Sequence, residues 1–322
     1  MHFVLVVGFA VAEHEVGFVR EMDSRDLKDP AMIKTDDLQA KYRTDGYIVV
    51  PGVVDPGTVA GLLGAIAGAV EKIAQALYRK GLVANLFEEL PVGRRLYALQ
   101  EECGKPIGKR GWNPEIFGPA LYNLVCAPPV LDVVEKILGP EVHVHGDYWI
   151  RPKLPEEERS TIPWHQDSMY YGEDSAQNRI LTVWIPLVDV EKQNGCLEVI
   201  AGSHTWGLQK AHRESTEHAL EPLEDPTKRA PGVVLPMKAG DMIAFSNLTF
   251  HRSFMNVTDA IRWSADLRYS PVGDGPEDVF AKFPPMIGRS ADAGRIEDFD
   301  TWRAKREACS RTREEAATWN NV

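Results

Sequence analysis

The chain has 322 residues, 47 of them acidic and 36 basic, for a net charge of −11 with histidine neutral. That balance excludes the basic surface that displaces phosphate counterions, so no nucleic-acid partner is expected. With 44% hydrophobic and 26% charged residues the chain is not disordered throughout, and it is long enough for one large domain or two small ones.

The opening run Phe3 to Ala12 is apolar, but no Lys or Arg precedes it, and Glu13, His14 and Glu15 follow at once. Those flanks do not suit a signal peptide, and the run falls well under the roughly 20 residues that a bilayer requires. No membrane partner is expected, and a translation start at Met22 explains the segment equally well. Residues 1–30 read as an irregular lead-in and 31–322 as a single domain.

Asp37 to Thr44 reads as a short helix ending at Gly46, followed by the strand Tyr47 to Val50, which Pro51 closes. From Asp55 to Lys80 an Ala- and Leu-rich stretch, with Asp55 as N-cap and Gly81 as stop, predicts a long helix. Residues 91–119 carry Gly, Pro and the basic Arg94, Arg95, Lys105, Lys109 and Arg110. They read as a solvated loop, with a pocket mouth as the alternative. Pro128 to Leu138 is a helix that Gly139 and Pro140 end.

After it come short runs with period-two alternation and turn residues between them: 142–151, 180–188, 196–200, 232–236, 242–245 and 262–269. Helices first and strands afterwards predict an α+β layout around a β-sandwich or barrel. Phe299 to Thr318 has mixed charge at helical spacing and reads as a solvated amphipathic C-terminal helix, with an edge-strand cover or dimer contact as alternatives. Monomer and homodimer both stay open. Cys103, Cys126, Cys196 and Cys309 lie far apart with no CxxC pair, giving neither a thiolate zinc site nor a disulfide framework. A reducing, cytoplasmic setting is expected.

Two His-x-Asp tripeptides occur, His145-Gly146-Asp147 and His165-Gln166-Asp167. About 0.6 arise by chance at this composition, so the tripeptide alone carries little weight. Residues two apart on a strand share a side, so either pair can offer an imidazole and a carboxylate to one ion. Fe(II) suits two imidazoles and one carboxylate on one face, with three positions left open. His251 is the best third ligand, since it follows one apolar strand and precedes a polar one. Beyond it, Arg262, Ser264, Asp266 and Arg268 alternate with Trp263, Ala265, Leu267 and Tyr269. A guanidinium fixed inside a barrel can grip a dicarboxylate cosubstrate through two parallel hydrogen bonds. Arg151 and Arg268 read either as substrate-carboxylate anchors or as paired barrel charges, and Met169, Tyr170 and Tyr171 as pocket walls or core.

With these residues in view the sequence resembles the phytanoyl-CoA dioxygenase family of Fe(II)- and 2-oxoglutarate-dependent oxygenases. The resemblance rests on Pro163-Trp164-His165-Gln166-Asp167, Trp184 within LTVWIPLVDV, and NGCLEVIAGSH from Asn194 to His204. It continues through GDMIAF at 240–245, His251-Arg252-Ser253 and Asn256-x-Thr258 before Arg262. The elements keep the family's order over 140–270.

The resemblance implies a double-stranded β-helix (jelly roll, cupin-like) with helices packed on one face. It implies iron ligands His165, Asp167 and His251, and a 2-oxoglutarate site built from Arg262, Ser253 and Trp184, with Tyr148 as a further contact. Asp167 in the carboxylate position resembles a hydroxylase, because relatives that halogenate carry a small residue there. The implied activity oxidises a C–H bond of a small molecule with 2-oxoglutarate and O2, releasing succinate and CO2. The other readings are a cupin-like metal- or metabolite-binding protein without oxygen chemistry and a non-oxidative metalloenzyme. His143-Val144-His145 matches the two-His core of a cupin, but Trp149 stands where a cupin needs Glu.

Overall fold

The computed structural model describes residues 20–21, 35–107, 112–213 and 219–319. The apolar opening at Phe3 to Ala12, and Lys109 and Arg110, lie outside the described residues.

In chain order the elements are β1 (Arg20–Glu21), α1 (Thr35–Asp45), β2 (Tyr47–Val50), α2 (Pro56–Arg79), α3 (Val92–Cys103), α4 (Asn113–Ile116), α5 (Pro119–Val125) and α6 (Pro128–Leu138). Then follow β3 (Val142–Val144), β4 (Trp149–Lys153), α7 (Ser168–Tyr171), β5 (Leu181–Pro186), β6 (Leu197–Val199), β7 (Ala211–His212) and β8 (Glu221–Pro222). The chain continues through β9 (Val233–Leu235), β10 (Met242–Ser246), β11 (His251–Ser253), β12 (Arg262–Pro271), α8 (Glu277–Lys282), β13 (Met286–Arg289) and α9 (Phe299–Trp319).

The larger sheet runs β13-β3-β12-β5-β10-β2, with β4 also on β12, and every pairing in it is antiparallel. The smaller sheet runs β1-β9-β6-β11 and is antiparallel apart from the β1–β9 pair. β12 is the axis of the fold, and all ten of its residues are buried. The period of two sends Trp263, Ala265, Leu267 and Tyr269 into the main core under the helices, and leaves Arg262, Ser264, Asp266 and Arg268 for the opposite face. β5 and β10 obey the same rule: Val183, Ile185 and Ala244 join that core, whereas Trp184, Ile243 and Phe245 meet Leu197, Val199, Val234 and Leu235 of the smaller sheet in a second cluster.

The long helix forms as expected because Asp55 caps it, accepting from the Thr58 amide at 3.0 Å, and Pro56 occupies its first turn. Length and composition alone would let α2 cross a membrane, but its stripe of Val59, Leu62, Ile66, Ala69, Val70 and Ala74 is buried, with α3, α4 and α5 packed alongside. One face of a helix covering a sheet is ordinary core packing.

Three expectations need correction. The 91–119 stretch is not a solvated loop: it holds α3 and α4 and ends where α5 begins, with Leu96, Leu99, Trp112 and Ile116 buried. Among its basic residues Arg95 misled, because it is largely buried and paired with Glu71 at 2.6 Å, whereas Arg94 is an exposed charge that meets Asp259. Leu96→Ala would cost about 2–5 kcal/mol as a fully buried truncation. The expected strand 142–151 breaks into β3 and β4 around Gly146, where a Cβ would lie 2.8 Å from the Phe283 and Pro284 carbonyl oxygens. α9 is docked rather than merely solvated: Trp302 is fully buried, edge-on to Phe117 at 5.0 Å, and its indole N–H donates to the Pro284 carbonyl at 3.2 Å.

Candidate active site

His165 and Asp167 sit just before α7, and His251 opens β11. His165 and His251 form an isolated antiparallel bridge in which each amide donates to the other's carbonyl at 3.0 Å. Directly opposed residues point the same way, so the rings lie with centroids 4.0 Å apart. Asp167 completes the cluster: its Oδ1 is 3.7 Å from His165 Nε2 and 3.8 Å from His251 Nε2, and one ligand atom from each residue lies within 4.8 Å of the others.

The tautomers are fixed by the backbone. His165 Nδ1 lies 2.8 Å from the Pro163 carbonyl and His251 Nδ1 lies 3.0 Å from that of Thr249. A carbonyl only accepts, so each Nδ1 carries the proton and each Nε2 keeps its lone pair for an ion. Burial, reinforced by His251, pushes His165 down to about 3, so it stays a neutral ligand. Burial alone would raise the Asp167 carboxyl. The Arg268 guanidinium outweighs it and, with the Thr182 hydroxyl, holds Asp167 well below the usual carboxylate range. Two imidazoles that turn Nε2 toward one carboxylate, all three buried on one side of an open cavity, are a donor set that fits ferrous iron.

The cavity has a volume of about 410 Å³. Trp184, Ser253 and Arg262 line it beside the three ligands. Arg262 is buried, donates to Ser264 Oγ at 2.5 Å and to the Gly195 carbonyl at 3.1 Å, and stands 5.3 Å from the centre of the Trp184 ring. Ser253 Oγ accepts from the Ile162 amide at 3.3 Å, which leaves its hydrogen to donate into the cavity.

Tyr148 is the misplaced expectation. It lies off the cavity in the main core, where its hydroxyl donates to the Asn113 carbonyl. The parity of β4 explains this: Trp149, Arg151 and Lys153 share one face, and Tyr148 falls with Ile150 on the other.

The earlier tripeptide, His145-Gly146-Asp147, is apart from the cluster. His145 Nε2 is 2.9 Å from Ser270 Oγ and its ring packs on Phe280, while Asp147 lines the cavity and accepts from the Tyr171 hydroxyl at 2.7 Å. Met169 packs outside the cavity, whereas Tyr170 and Tyr171 line it. Arg268 proves to be a paired charge, between Asp167 and Asp266, and Asp266 in turn accepts from Arg151 Nε at 3.0 Å. Thr182 and Lys153 went unnoticed in the sequence, and Asp266 was read only as part of the polar face of its strand. Strand parity was the available signal, since Thr182 shares a face with Trp184 and Lys153 with Trp149.

A family model described as phytanoyl-CoA dioxygenase (PhyH) matches residues 42–264. The chain is 27% identical over 196 residues to the peroxisomal phytanoyl-CoA dioxygenase of Mus musculus, an alignment covering 56% of this chain and 58% of that one, under two thirds of its length. It is also 27% identical over 255 residues to the 1-deoxypentalenic acid 11-beta-hydroxylase of Streptomyces arenae, covering 75% and 83% respectively. Among solved structures it is similar in fold to the non-heme monooxygenase ThoJ, with a TM-score of 0.58, 22% identity and 89% and 100% of the two chains covered. EctD from S. alaskensis with 2-oxoglutarate and 5-hydroxyectoine gives a TM-score of 0.53 at 21% identity, covering 87% and 91%.

Proposed function

The chain belongs to the phytanoyl-CoA dioxygenase family, and from that premise we propose that it is a non-haem Fe(II)- and 2-oxoglutarate-dependent dioxygenase. It hydroxylates, or otherwise oxidises, an unactivated C–H bond of a small molecule and releases succinate and CO2. The observation that carries this reading is the convergence of His165, Asp167 and His251 with both Nδ1 atoms tied back to carbonyls. The two mainly antiparallel sheets with Trp184 and Phe245 between them, helices on one outer face, are read as a jelly roll.

His165, Asp167 and His251 hold the iron, and Arg262 takes the distal carboxylate of 2-oxoglutarate, with Ser253 beside it and Trp184 as a wall. Bound there, iron and 2-oxoglutarate supply the oxygen activation that no amino-acid side chain provides. Arg268 and Thr182 keep Asp167 ionised and oriented. Trp149, Tyr170 and Phe283 line the rest of the cavity with apolar surface.

A volume of about 410 Å³ suits a compact metabolite beside the cosubstrate. The name of the mouse relative points to an acyl-CoA and that of the Streptomyces relative to a free acid. The cavity size and the acidic net charge favour the compact free metabolite over the phosphates of CoA. Anaerobic addition of Fe(II) and 2-oxoglutarate is expected to give the weak visible charge-transfer band of a chelated 2-oxo acid. No band in folded, iron-loaded protein would overturn the reading. Stimulated succinate formation across a panel of small metabolites then identifies the substrate.

A further inference from the structure

In the register of β4 on β12, Lys153 stands directly opposite Arg262. Lys153 is 2% exposed and Arg262 is 3% exposed. Like charges set opposite each other destabilise a sheet, and a buried ion needs a partner to offset its lost hydration. Among the described residues neither cation has a carboxylate within ion-pair reach. Lys153 Nζ donates to the Ser160 carbonyl at 2.5 Å, and Arg262 bonds only to Ser264 and the Gly195 carbonyl, with its Nε unpartnered.

The other arginines of the cavity differ. Arg151 is paired with Asp266, Arg159 with Glu157, Arg252 with Glu198, and Arg268 with Asp167 and Asp266. The two uncompensated cations converge on Gly195, whose φ of +87° and missing side chain both serve the site. Its carbonyl accepts from Arg262, and a Cβ on it would stand 2.4 Å from Lys153 Cδ. Burial, followed by repulsion from Arg262 and Arg151, presses the Lys153 ammonium down to about 6, as expected of a cation whose counter-ion has yet to arrive.

We infer that Lys153 is a second cation for the distal carboxylate of the cosubstrate, closing with Arg262 a two-sided clamp on a dianionic 2-oxo acid. The inference rests on the dioxygenase reading, and it explains why two like charges are tolerated face to face in a buried sheet. The anion that satisfies both can come from the cosubstrate or from a carboxylate on the substrate, and the choice of probe separates the two.

The test is anaerobic titration of iron-loaded wild type and Lys153→Met with 2-oxoglutarate and with 2-oxobutyrate, which lacks the distal carboxylate. The visible band reports binding, and melting temperatures are taken in parallel without any ligand. Lys153→Met is expected to weaken 2-oxoglutarate by about 10- to 100-fold, the loss of a charged hydrogen bond. Binding of 2-oxobutyrate should change less than about two-fold on the same argument. The ligand-free variant should melt no lower than wild type, because the cost of burying an amine that has no counter-ion is gone.

Unchanged 2-oxoglutarate affinity in the variant would overturn the clamp alone and assign the anion to the substrate. Equal weakening of both acids would overturn it as general damage to the cavity. A wild type that gives no band with 2-oxoglutarate overturns the dioxygenase reading and the clamp with it. Lys153→Gln retains a donor for Ser160 without the charge and carries the same expectations should Lys153→Met not fold.

Discussion

Arg268 Nη2 lies 3.3 Å from Asp167 Oδ2, so a guanidinium grips the carboxylate that faces both histidines. Its other terminal nitrogen holds Asp266, which in turn holds Arg151. The row Asp167, Arg268, Asp266, Arg151 alternates in sign from the metal cluster toward the cavity wall, with no two like charges adjacent. Carboxylate partners of this kind set the orientation of a ligand, and losing one typically costs 10- to 100-fold in metal affinity or activity. Arg268→Met is therefore expected to weaken Fe(II) or Co(II) binding by about that factor in a chelator competition, and Thr182→Val by about the lower bound. Wild-type metal affinity in both folded variants would make the row structural only.

The two His-x-Asp tripeptides separate cleanly under substitution. His165→Ala or Asp167→Ala removes a donor from a three-donor cluster and should abolish stoichiometric iron binding, read by metal analysis after gel filtration. Asp147→Ala leaves the cluster intact and should retain iron, while freeing the Tyr171 hydroxyl and altering the cavity wall. Iron lost from Asp147→Ala and kept in Asp167→Ala would move the metal to the earlier tripeptide.

Acid should loosen the metal-free protein through His165. The unfolded chain protonates this histidine near its ordinary 6.5, whereas the folded protein does so only near 3. Between those values the unfolded state binds more protons, so stability is lost as pH falls through the window. The loss reaches about 2 kcal/mol by pH 5. Asp167 acts in the same direction below the usual carboxylate range, and Lys153 does so between about 6 and its ordinary 10.5. Urea denaturation of metal-free wild type and His165→Gln at pH 8 and pH 5 isolates the histidine: the wild type should lose about 2 kcal/mol more than the variant. Equal losses would show that His165 is not held neutral by burial.

The division between legible and illegible features follows strand and helix physics. The polar face of β12 was readable because strict alternation over the eight residues from Arg262 to Tyr269 has no helical counterpart, and the metal residues because His165, Asp167 and His251 recur within an ordered set of motifs. α3 was not readable, since Arg95 looks like a solvent-facing charge until Glu71 is known to meet it, Arg94 beside it is indeed exposed, and Leu96 and Leu99 make too short a stripe. Lys153 was hidden by its own type, for lysine is almost never buried without a partner. Tyr148 misled because family position was used where parity decides.

The docking of α9 rests largely on one side chain. Trp302 is fully buried against Phe117 and Tyr148, and its N–H is satisfied by Pro284, in the segment leading into β13. Trp302→Ala should cost about 3–5 kcal/mol, read as a lowered denaturant midpoint. Metal content of the folded fraction should not change, because the ring packs on Phe117 and Tyr148 and not on His165, Asp167 or His251. A loss under about 1 kcal/mol would mean that α9 contributes little to the fold.

Arg262 offers the sharpest separation between a 2-oxoglutarate enzyme and any other user of a His/Asp/His site. It is buried, its position is set by Ser264 and Gly195, and among the described residues no carboxylate reaches it. Burial and the nearby Arg151 push its guanidinium down to about 9, an uncomfortable state that a bound carboxylate relieves. Charged hydrogen bonds to that carboxylate contribute on the order of 1.5–3 kcal/mol, or roughly 10- to 150-fold in affinity. Arg262→Lys keeps the charge and loses the two-pronged geometry, so it should weaken 2-oxoglutarate while sparing iron, and Arg262→Ala should weaken it further. Ser253→Ala removes one neutral donor and should have a smaller effect in the same direction. An unchanged 2-oxoglutarate affinity in folded Arg262→Ala, measured by the anaerobic charge-transfer band, would make the arginine structural and remove the main support for the cosubstrate assignment.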